Sequence, residues 1–377
     1  MLKKERLSPL VKWPGGKESE LKFISPELPK SINRFFEPFV GGGAVYFCVD
    51  AKQMLINDFS HELVNLYERV AEADPIFHSH LEDIIHNWEL LGEFPQKHRH
   101  EIINVYREFS NDLNDIQELD DWVMSFFILH ANELNGMLNR KLNTNIGNFL
   151  HELNKNVLSK LKRMKDIEKK RGVLPDGDII DNFEAAVKSG LYMHLRHLYN
   201  NTCKYGFSQS FNAALFFFIR NYCYSSMFRY NRSGNFNVPY GGIGYNKKSL
   251  NKKLEYFKDK TLLAHLSKTI IKNQDFEDFL RENNPNRDDF IFLDPPYDSE
   301  FSTYAKKSFT KDDQKRLASY LINDCEAKWM LVIKNTEFIY ELYNQPTITI
   351  KSFEKTYLVS FMNRNNKDVD HLIVTNY

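Results

Sequence analysis

The chain has 377 residues, enough for one large domain or two smaller ones, and its 42% hydrophobic and 27% charged residues are ordinary for a globular protein. Its formal net charge is zero, so a nucleic-acid partner would have to be held by clustered positive charge rather than by a global excess. Four cysteines lie far apart without a CxxC pair, which argues against a zinc site or a disulfide framework. We therefore expect no metal site. The sequence also lacks an apolar run of membrane-spanning length, so we expect a cytoplasmic protein without membrane contact.

The N-terminal part predicts the beginning of a parallel sheet. Short apolar runs at 35–40 (FFEPFV) and 53–58 (QMLIND) have the length of buried strands, and each is followed by a turn and a helical pattern. Strands that alternate with helices are typical of α/β proteins.

The middle of the chain predicts helices instead. Between about residues 71 and 220 the apolar side chains recur at helical spacing, as in DDWVMSFFILHANEL. Strand-like segments resume after residue 260, at 269–276, 289–297 and 329–335. The segments 356–363 and 370–377 predict a closing antiparallel hairpin.

This order of segments predicts two domains. The first is an α/β domain built from residues 1–70 and 262–377, and a largely α-helical domain of residues 71–261 interrupts it. The sheet is therefore assembled from both ends of the chain.

A glycine-rich turn follows the first predicted strand. Gly41 and Gly43 in FFEPFVGGGAVYF let the backbone approach a ligand closely, although such a turn is also common without one. A dinucleotide fingerprint would need glycine at position 46, where Tyr46 stands, and GGKES has Glu18 where a phosphate loop needs Ser or Thr. Neither a nicotinamide dinucleotide nor a nucleoside triphosphate is favoured.

An acidic residue ends the second predicted strand. Asp58 stands where doubly wound sheets commonly carry an acid that binds ribose hydroxyl groups. The alternative is that Asp58 caps a helix beginning near Ser60. With the glycine turn, the position fits an adenosine-bearing ligand without a pyrophosphate.

The run FIFLDPPY ends a predicted strand with Asp294, Pro295 and Tyr297. An exocyclic base amine is a poor nucleophile because its lone pair is delocalised, and two acceptors on its N–H groups would free that pair. A carboxylate and a backbone carbonyl can supply these acceptors, proline presets their geometry, and tyrosine offers a face for a flipped base. The alternative is a proline-rich turn with Tyr297 on the surface. The position at the carboxyl end of a parallel strand favours amine activation.

These motifs together resemble those of the DNA adenine-N6 methyltransferases of the Dam type, the D12 or α-class amino-methyltransferases. The matching segments stand in the family's order: KWPGGK (12–17), EPFVGGGAVYF (37–47), LIND (55–58), FRYNRSGNFNVPYGG (228–242) and LDPPY (293–297). The resemblance implies a Rossmann-like methyltransferase sheet and S-adenosyl-L-methionine as cofactor. Its implied cofactor-binding residues are Trp13, Lys17, Phe39, Gly41, Gly43, Asp58 and Asp294.

The resemblance also implies residues that contact DNA. Arg229 and Pro239 match family positions in or near the DNA-reading segment, and Lys12 and Arg232 are further candidates. An arginine can read guanine with two hydrogen bonds in the major groove, whereas a surface ion pair is the alternative for both arginines.

The target sequence stays open, because Ser225 and Ser226 stand where GATC methylases usually carry Asn-Gly. We expect methyl transfer to N6 of a flipped adenine in double-stranded DNA, within a restriction–modification system whose endonuclease is a candidate functional partner. The alternatives are cytosine-N4 methylation and a non-catalytic DNA-binding protein on the same fold. A monomer is favoured.

Overall fold

The computed structural model describes residues 7–137, 142–297, 309–356 and 368–377. The chain divides into two compact units, one built from Met1–Ala73 with Phe257–Tyr377 and the other from Asp74–Tyr256. We call them the sheet unit and the helical unit.

Fourteen α-helices lie in the described residues. In chain order they are α1 Leu21–Ile24, α2 His61–Ala71, α3 Pro75–Lys97, α4 Arg99–Ser110, α5 Ile116–Leu129, α6 Ala131–Met137, α7 Ile146–Arg171, α8 Asp176–Asn200, α9 Gln209–Tyr222, α10 Asn251–Phe257, α11 Lys260–Leu266, α12 Phe276–Asn283, α13 Lys311–Ser319 and α14 Glu337–Tyr343. None of them, over the described residues, is long and apolar enough to cross a membrane.

Seven strands form one sheet in the order β3-β2-β1-β4-β5-β7-β6. They are β1 Arg34–Glu37, β2 Gln53–Asn57, β3 Thr269–Lys272, β4 Phe290–Leu293, β5 Lys328–Lys334, β6 Thr349–Thr356 and β7 Asp368–Thr375. The first five run parallel to their neighbours, whereas β7 runs antiparallel to β5 and β6. The predicted α/β class with a closing antiparallel pair is confirmed.

The central strands are buried on both faces because helices cover a parallel sheet on either side. All four residues of β4 are buried, and five of the seven residues of β5 are too. On one face, alternate side chains from neighbouring strands pack with residues of α12, α13 and α14. This continuous apolar core fixes the strand ends that carry the polar residues.

The first strand of the closing pair begins earlier than predicted. The strand β6 begins at Thr349, whereas the predicted first strand covered 356–363, which lies outside the described residues except for Thr356. The segment TIKSFEKT was missed because its charged residues suit an edge strand, where charge discourages pairing with another chain.

The helical unit has its own apolar core and its own helix caps. The side chain of Asp74 accepts hydrogen bonds from the first amides of α3, and Asp115 forms a capping box with Glu118 at the start of α5. Phe211 and Phe217 on α9 are fully buried.

A buried ion pair joins the start of β1 to the turn before β4. The carboxylate of Asp289 accepts hydrogen bonds from Arg34 Nε at 3.0 Å and Nη2 at 2.6 Å, and from the Arg34 amide at 3.1 Å. Burial alone would raise the pKa of Asp289, but the hydrogen bonds from Arg34 and from the Asn286 amide more than offset this and lower it. The pair therefore aligns two adjacent strands at the edge opposite to their carboxyl ends.

We predict that Asp289→Ala lowers the free energy of unfolding by about 3 kcal/mol, because it removes the carboxylate that accepts from the half-buried Arg34 guanidinium and from the backbone amides of Arg34 and Asn286. Urea unfolding at neutral pH measures this loss. The neighbouring exposed Asp288→Ala is the matched control and should change stability by less than about 0.5 kcal/mol. Equal effects of both variants would contradict the assignment.

Candidate active site

Three acidic side chains meet at one edge of the sheet. Glu37 is the last residue of β1, Asp58 directly follows β2, and Asp294 directly follows β4. These strands are parallel neighbours, with β1 in the middle, so their carboxyl ends lie side by side. In such sheets this edge is where ligands bind. Asp58 and Asp294 were predicted site residues, whereas Glu37 was not among them.

A buried lysine lies among these acids. Lys17 is 2% exposed, and its Nζ donates to Asp294 Oδ1 at 2.5 Å, to the carbonyl of Gly15 at 3.0 Å and to the hydroxyl of Tyr297 at 3.4 Å. A buried ammonium group is costly without such partners. The structure thus brings together Lys17, Asp294 and Tyr297, which lie up to 280 positions apart in the chain.

The pKa of Glu37 is strongly perturbed. Burial raises its pKa well above the ordinary value, and the negative charge of Asp294 raises it further, while the amide of Tyr46 and the ammonium of Lys17 lower it only in part. Its Oε2 is buried and accepts no hydrogen bond within the described ranges. The sequence signal for this residue was the acid that opens EPFVGGG, directly before the glycine turn.

Asp58 ties the glycine turn to the start of α2. Its Oδ2 accepts from the amide of Gly41 at 3.0 Å and its Oδ1 from the amide of Ser60 at 2.9 Å. The side chain of Ser60, not Asp58, is the N-cap that accepts from Leu63. Burial raises the pKa of Asp58 to about 6, although the amides of Ser60, Gly41 and Phe59 oppose the shift.

The glycine turn packs against an aromatic side chain. Gly41 and Gly43 have φ of +49° and +81°, values that side-chain-bearing residues rarely adopt. A Cβ on Gly41 would lie 2.7 Å from Trp13 Cδ1, and one on Gly43 would lie 2.6 Å from the hydroxyl of Tyr67. Phe39, at the start of the turn, is partly buried with its ring 5.5 Å from that of Phe276. Of the predicted residues, Trp13 and Gly41 thus lie together beside Asp58, whereas Gly43 packs near Tyr67 and Phe39 packs against Phe276.

The Asp-Pro-Pro-Tyr segment is held by a buried glutamine. Gln314 on α13 donates from Nε2 to the carbonyl of Pro296 at 3.0 Å and is fully buried. The carbonyl of Pro295, by contrast, accepts no hydrogen bond from any residue that the structure describes. The ring of Tyr297 lies edge-on to His371, with centroids 5.6 Å apart. Gln314 carries no sequence signal of this role, because it lies 18 positions further on in an amphipathic helix.

The predicted DNA-contacting residues of the helical unit lie on a loop fixed to α8. Asn200 on α8 pairs with both the amide and the carbonyl of Phe236, at 2.8 and 3.0 Å, and Tyr192 donates to the carbonyl of Val238 at 3.0 Å. Short antiparallel bridges join Tyr230 to Phe236 and Cys223 to Tyr240. The hydrogen bonds from α8 and the two bridges therefore hold the backbone of this loop in place.

Its outer side presents the arginines. Arg229 and Arg232 are exposed, and neither forms an ion pair with a carboxylate in the described part of the chain. Arg229 Nε donates to Asn237 Oδ1 at 3.0 Å, which orients the guanidinium group. Pro239 is also exposed, as is Lys12 in the sheet unit.

Two serines of this loop adopt left-handed backbone conformations. Ser225 and Ser226 both have φ of +51°. Asn-Gly adopts such conformations with less strain than Ser-Ser. The turn geometry is therefore one that Asn-Gly would favour, although the side chains differ. Arg220 is buried and stabilises the turn by donating to the carbonyl oxygens of Ser226 and Met227, a role that the sequence did not reveal.

The sheet order, the glycine turn and the acids at the strand ends define an α/β methyltransferase fold. Comparison with known families agrees: residues 13–174 and 167–359 match the family described as D12 class N6 adenine-specific DNA methyltransferase. The chain belongs to this family, and it is an adenine-specific DNA methyltransferase by class. This agrees with the resemblance noted from its motifs.

Individual relatives align over nearly their whole length. The type II methyltransferase M.CviBI of Paramecium bursaria Chlorella virus NC1A is 25% identical over 98% of this chain and 100% of its own length. The type II methyltransferase M1.LlaDCHI of Lactococcus lactis subsp. cremoris is 23% identical over 99% and 97%. The DNA adenine methylase of Vibrio cholerae is 22% identical over 97% and 95%. The family is adenine-specific, which favours adenine over the cytosine alternative.

The raised pKa of Asp58 predicts a pH-dependent stability. Because the folded-state pKa of about 6 lies above the unfolded value, the folded protein binds more protons between about pH 4 and 6, and its stability falls as pH rises through that window. The stability of the wild type relative to Asp58→Asn should therefore decrease from pH 4.5 to 7.5, by on the order of 1 kcal/mol.

Urea unfolding of both proteins across this pH range measures the difference. Asp278→Asn removes an exposed carboxylate from the first turn of α12 and is the control, whose profile should run parallel to the wild type. Parallel profiles for Asp58→Asn as well would contradict the raised pKa.

Proposed function

We propose that this enzyme transfers a methyl group from S-adenosyl-L-methionine to N6 of a flipped adenine in double-stranded DNA, as the methylase of a type II restriction–modification system. The observation that carries the proposal is the position of Asp294 and the Pro295 carbonyl, next to Lys17 and the other two acids. The relatives named type II methyltransferases support the restriction–modification context.

The acid-lined edge fits a cationic adenosine ligand. S-adenosyl-L-methionine carries two positive charges, one on its ammonium group and one on its sulfonium group. A positive charge near Glu37 would favour the ionised carboxylate of Glu37, which burial disfavours. The buried Oε2 of Glu37 and the carboxylate of Asp58 are acceptors for an ammonium group and for ribose hydroxyl groups. The ring of Trp13 against Gly41 suits a sulfonium group. The cofactor would supply the activated methyl group.

Asp294 and Pro295 are placed to prepare the adenine amine. The carboxylate binds Lys17 through Oδ1, and since a carboxylate offers about four acceptor positions it can also accept from an N–H group. The Pro295 carbonyl provides a second acceptor for the other N–H. Two acceptors localise the lone pair on nitrogen, which makes the amine nucleophilic. The nitrogen is cationic after methylation and loses its proton readily, so no strongly basic side chain is required.

Tyr297 is the proposed stacking partner of the flipped base. Its hydroxyl lies 3.4 Å from Lys17 Nζ and its ring contacts His371 edge-on, so the orientation of the ring is restricted. A restricted ring loses little conformational entropy when a base stacks on it. The Lys17 ammonium thus positions both the acceptor and the stacking face.

Reading of the DNA sequence is assigned to the helical unit. Arg229 and Arg232 lie exposed on a loop supported by Asn200 and Tyr192, and Arg229 is oriented by Asn237. A guanidinium group oriented in this way can donate two hydrogen bonds to guanine, whereas Arg232 is proposed to contact phosphate. Pro239 and Lys12 are proposed further DNA contacts.

We predict that Asp294→Ala lowers the rate of methyl transfer at least about 1,000-fold, because the amine loses its charged acceptor. Methyl-labelled S-adenosyl-L-methionine incubated with duplex DNA, followed by nucleoside analysis, measures N6-methyladenine. Asp288→Ala removes an exposed acid of the same unit and should keep near-normal activity. Near-normal turnover by Asp294→Ala would overturn the mechanism, and methylcytosine as the product would overturn the assigned base.

Tyr297 gives a contrasting result in the same assay. Tyr297→Ala should mainly raise KM for DNA, because about 1–3 kcal/mol of base stacking is lost. Tyr297→Phe keeps the ring, so its KM for DNA should stay close to that of the wild type. If Tyr297→Phe is as impaired as Tyr297→Ala, the hydroxyl contact with Lys17 matters rather than the stacking face.

The two arginines predict different binding defects. Arg229→Ala should reduce discrimination between the cognate site and single-base variants by about 1–3 kcal/mol, because one direct base contact is lost. Arg232→Ala should weaken binding to all DNA sequences. It should also lower the number of counterions released on binding by about one, which the salt dependence of the affinity measures.

Binding titrations at several salt concentrations separate these effects once modified-base sequencing of host DNA has given the target. Arg287→Ala is a charge-matched control in the sheet unit, where the exposed Arg287 makes a 3.4 Å ion pair with Glu326. A uniform loss for Arg229→Ala would contradict direct base reading.

A further inference from the structure

A cluster of metal-ligand side chains lies in the helical unit. His98 sits at the junction between α3 and α4, His130 follows α5, and Glu133 is in the first turn of α6. One candidate ligand atom from each lies within 4.8 Å of the other two. Glu101 on α4 adds a second carboxylate, with its Oε2 3.8 Å from His130 Nε2. We call these four residues the His–Glu cluster.

Two donor pairs of the cluster have separations near those of a tetrahedral metal site. Ligands about 2.0–2.1 Å from a zinc ion are separated from one another by about 3.3 Å. His98 Nε2 lies 3.2 Å from Glu133 Oε2, so this pair already has the required separation. The distance from His130 Nε2 to Glu101 Oε2 requires an adjustment of only about half an ångström, which a side-chain rotation provides.

One ring nitrogen of the cluster is incompletely satisfied. His130 Nε2 is buried, yet it makes no hydrogen bond to any residue that the structure describes. Buried polar atoms nearly always have a partner, so an atom without one indicates a further ligand. A metal ion bound to Nε2 would satisfy it.

The two imidazole rings are held close together by aromatic side chains. Their centroids are 3.9 Å apart, and the buried rings of Phe94 and Phe126 each contact both of them at 4.6–5.7 Å. Imidazole is a common ligand of transition metals, and two rings held this close together can share one ion.

The positively charged side chain of Lys97 competes with a metal ion for the carboxylate of Glu133. Its Nζ donates to Glu133 Oε1 at 2.7 Å, which is the oxygen that does not face His98. The Lys97 side chain is 63% exposed, so it can turn into solvent at little cost. The alternative to a metal site is therefore an ion-pair cluster of Lys97, His98 and Glu133.

We propose that the His–Glu cluster binds one structural divalent ion of the zinc class, with His98, His130, Glu133 and Glu101 as its ligands. The four ligands come from the α3–α4 junction, from α4, and from the end of α5 and start of α6. A bound ion fixes these three chain segments to one another, which hydrogen bonds between short polar side chains do less rigidly. The cluster contains no cysteine, so the cysteine spacing that led us to expect no metal site could not reveal it.

Cobalt provides the first test, because Co²⁺ in a tetrahedral nitrogen–oxygen site absorbs visible light much more strongly than the hydrated octahedral ion. Full-length protein is purified without a metal-affinity tag and dialysed against a chelator. Titration with CoCl₂ should give a saturable visible band at one ion per chain, and ZnCl₂ should abolish it. Absence of such a band in the wild-type protein overturns the proposal and leaves the ion-pair cluster.

Calorimetry with ZnCl₂ then assigns the ligands. The double variant His98→Gln/His130→Gln should bind at least about 100-fold more weakly, since loss of outer partners alone can cost that much. His100→Gln/His151→Gln removes two exposed histidines of the same unit and should bind like the wild type. Glu133→Gln provides an independent single-site variant if the double variant does not fold. Equal affinity of all four proteins would show that zinc binds elsewhere and would overturn the assignment.

Discussion

The candidate active site depends on one buried ammonium group. Lys17 Nζ is shielded from water and lies 2.5 Å from the carboxylate of Asp294, so each charge compensates the desolvation of the other. The same ammonium lowers the pKa of Glu37, which burial and Asp294 raise. If Lys17 were removed, adjacent carboxyl groups would share a low-dielectric edge without a cation, and protonation would follow. The acceptor that the proposed chemistry needs at Asp294 therefore rests on a residue near the other end of the chain.

The strand order is what makes this contact possible. Because β1 lies between β2 and β4, the residues that follow these strands converge although β4 begins more than 200 positions after β2 ends. The Arg34–Asp289 pair aligns β1 with β4 at their opposite ends. Short parallel strands have few ladder hydrogen bonds, so this pair restricts the relative sliding of β1 and β4. The alignment of the sheet and the geometry of the site thus depend on the same two strands, β1 and β4.

The sequence predicted the residues whose role depends on local pattern. Asp58 and Asp294 stand at the ends of apolar runs, and the turn at Gly41 follows directly after another run, so their convergence follows from strand topology. It did not predict Gln314, because nothing in an amphipathic helix indicates that one buried amide will bind the Pro296 carbonyl. The strand at Thr349 was missed since its residues are polar, and polarity at a sheet edge reflects avoidance of aggregation rather than local propensity. Contacts between distant segments need tertiary structure.

The division of the chain explains why the target sequence is the hardest property to predict. The acids, the glycine turn and the Asp-Pro-Pro-Tyr segment all belong to the sheet unit, where the chemistry demands particular groups. Arg229 and Arg232 belong to the helical unit, and the chemistry of methyl transfer places no constraint on them. The loop that carries them keeps a left-handed turn at Ser225 and Ser226, so its backbone is fixed by packing while its exposed side chains are not. With the DNA-reading role proposed for these arginines, such a scaffold permits changes of sequence preference without changes in the proposed catalytic groups. The chemistry of methyl transfer can therefore be predicted from one amino-acid sequence, whereas the target DNA sequence cannot.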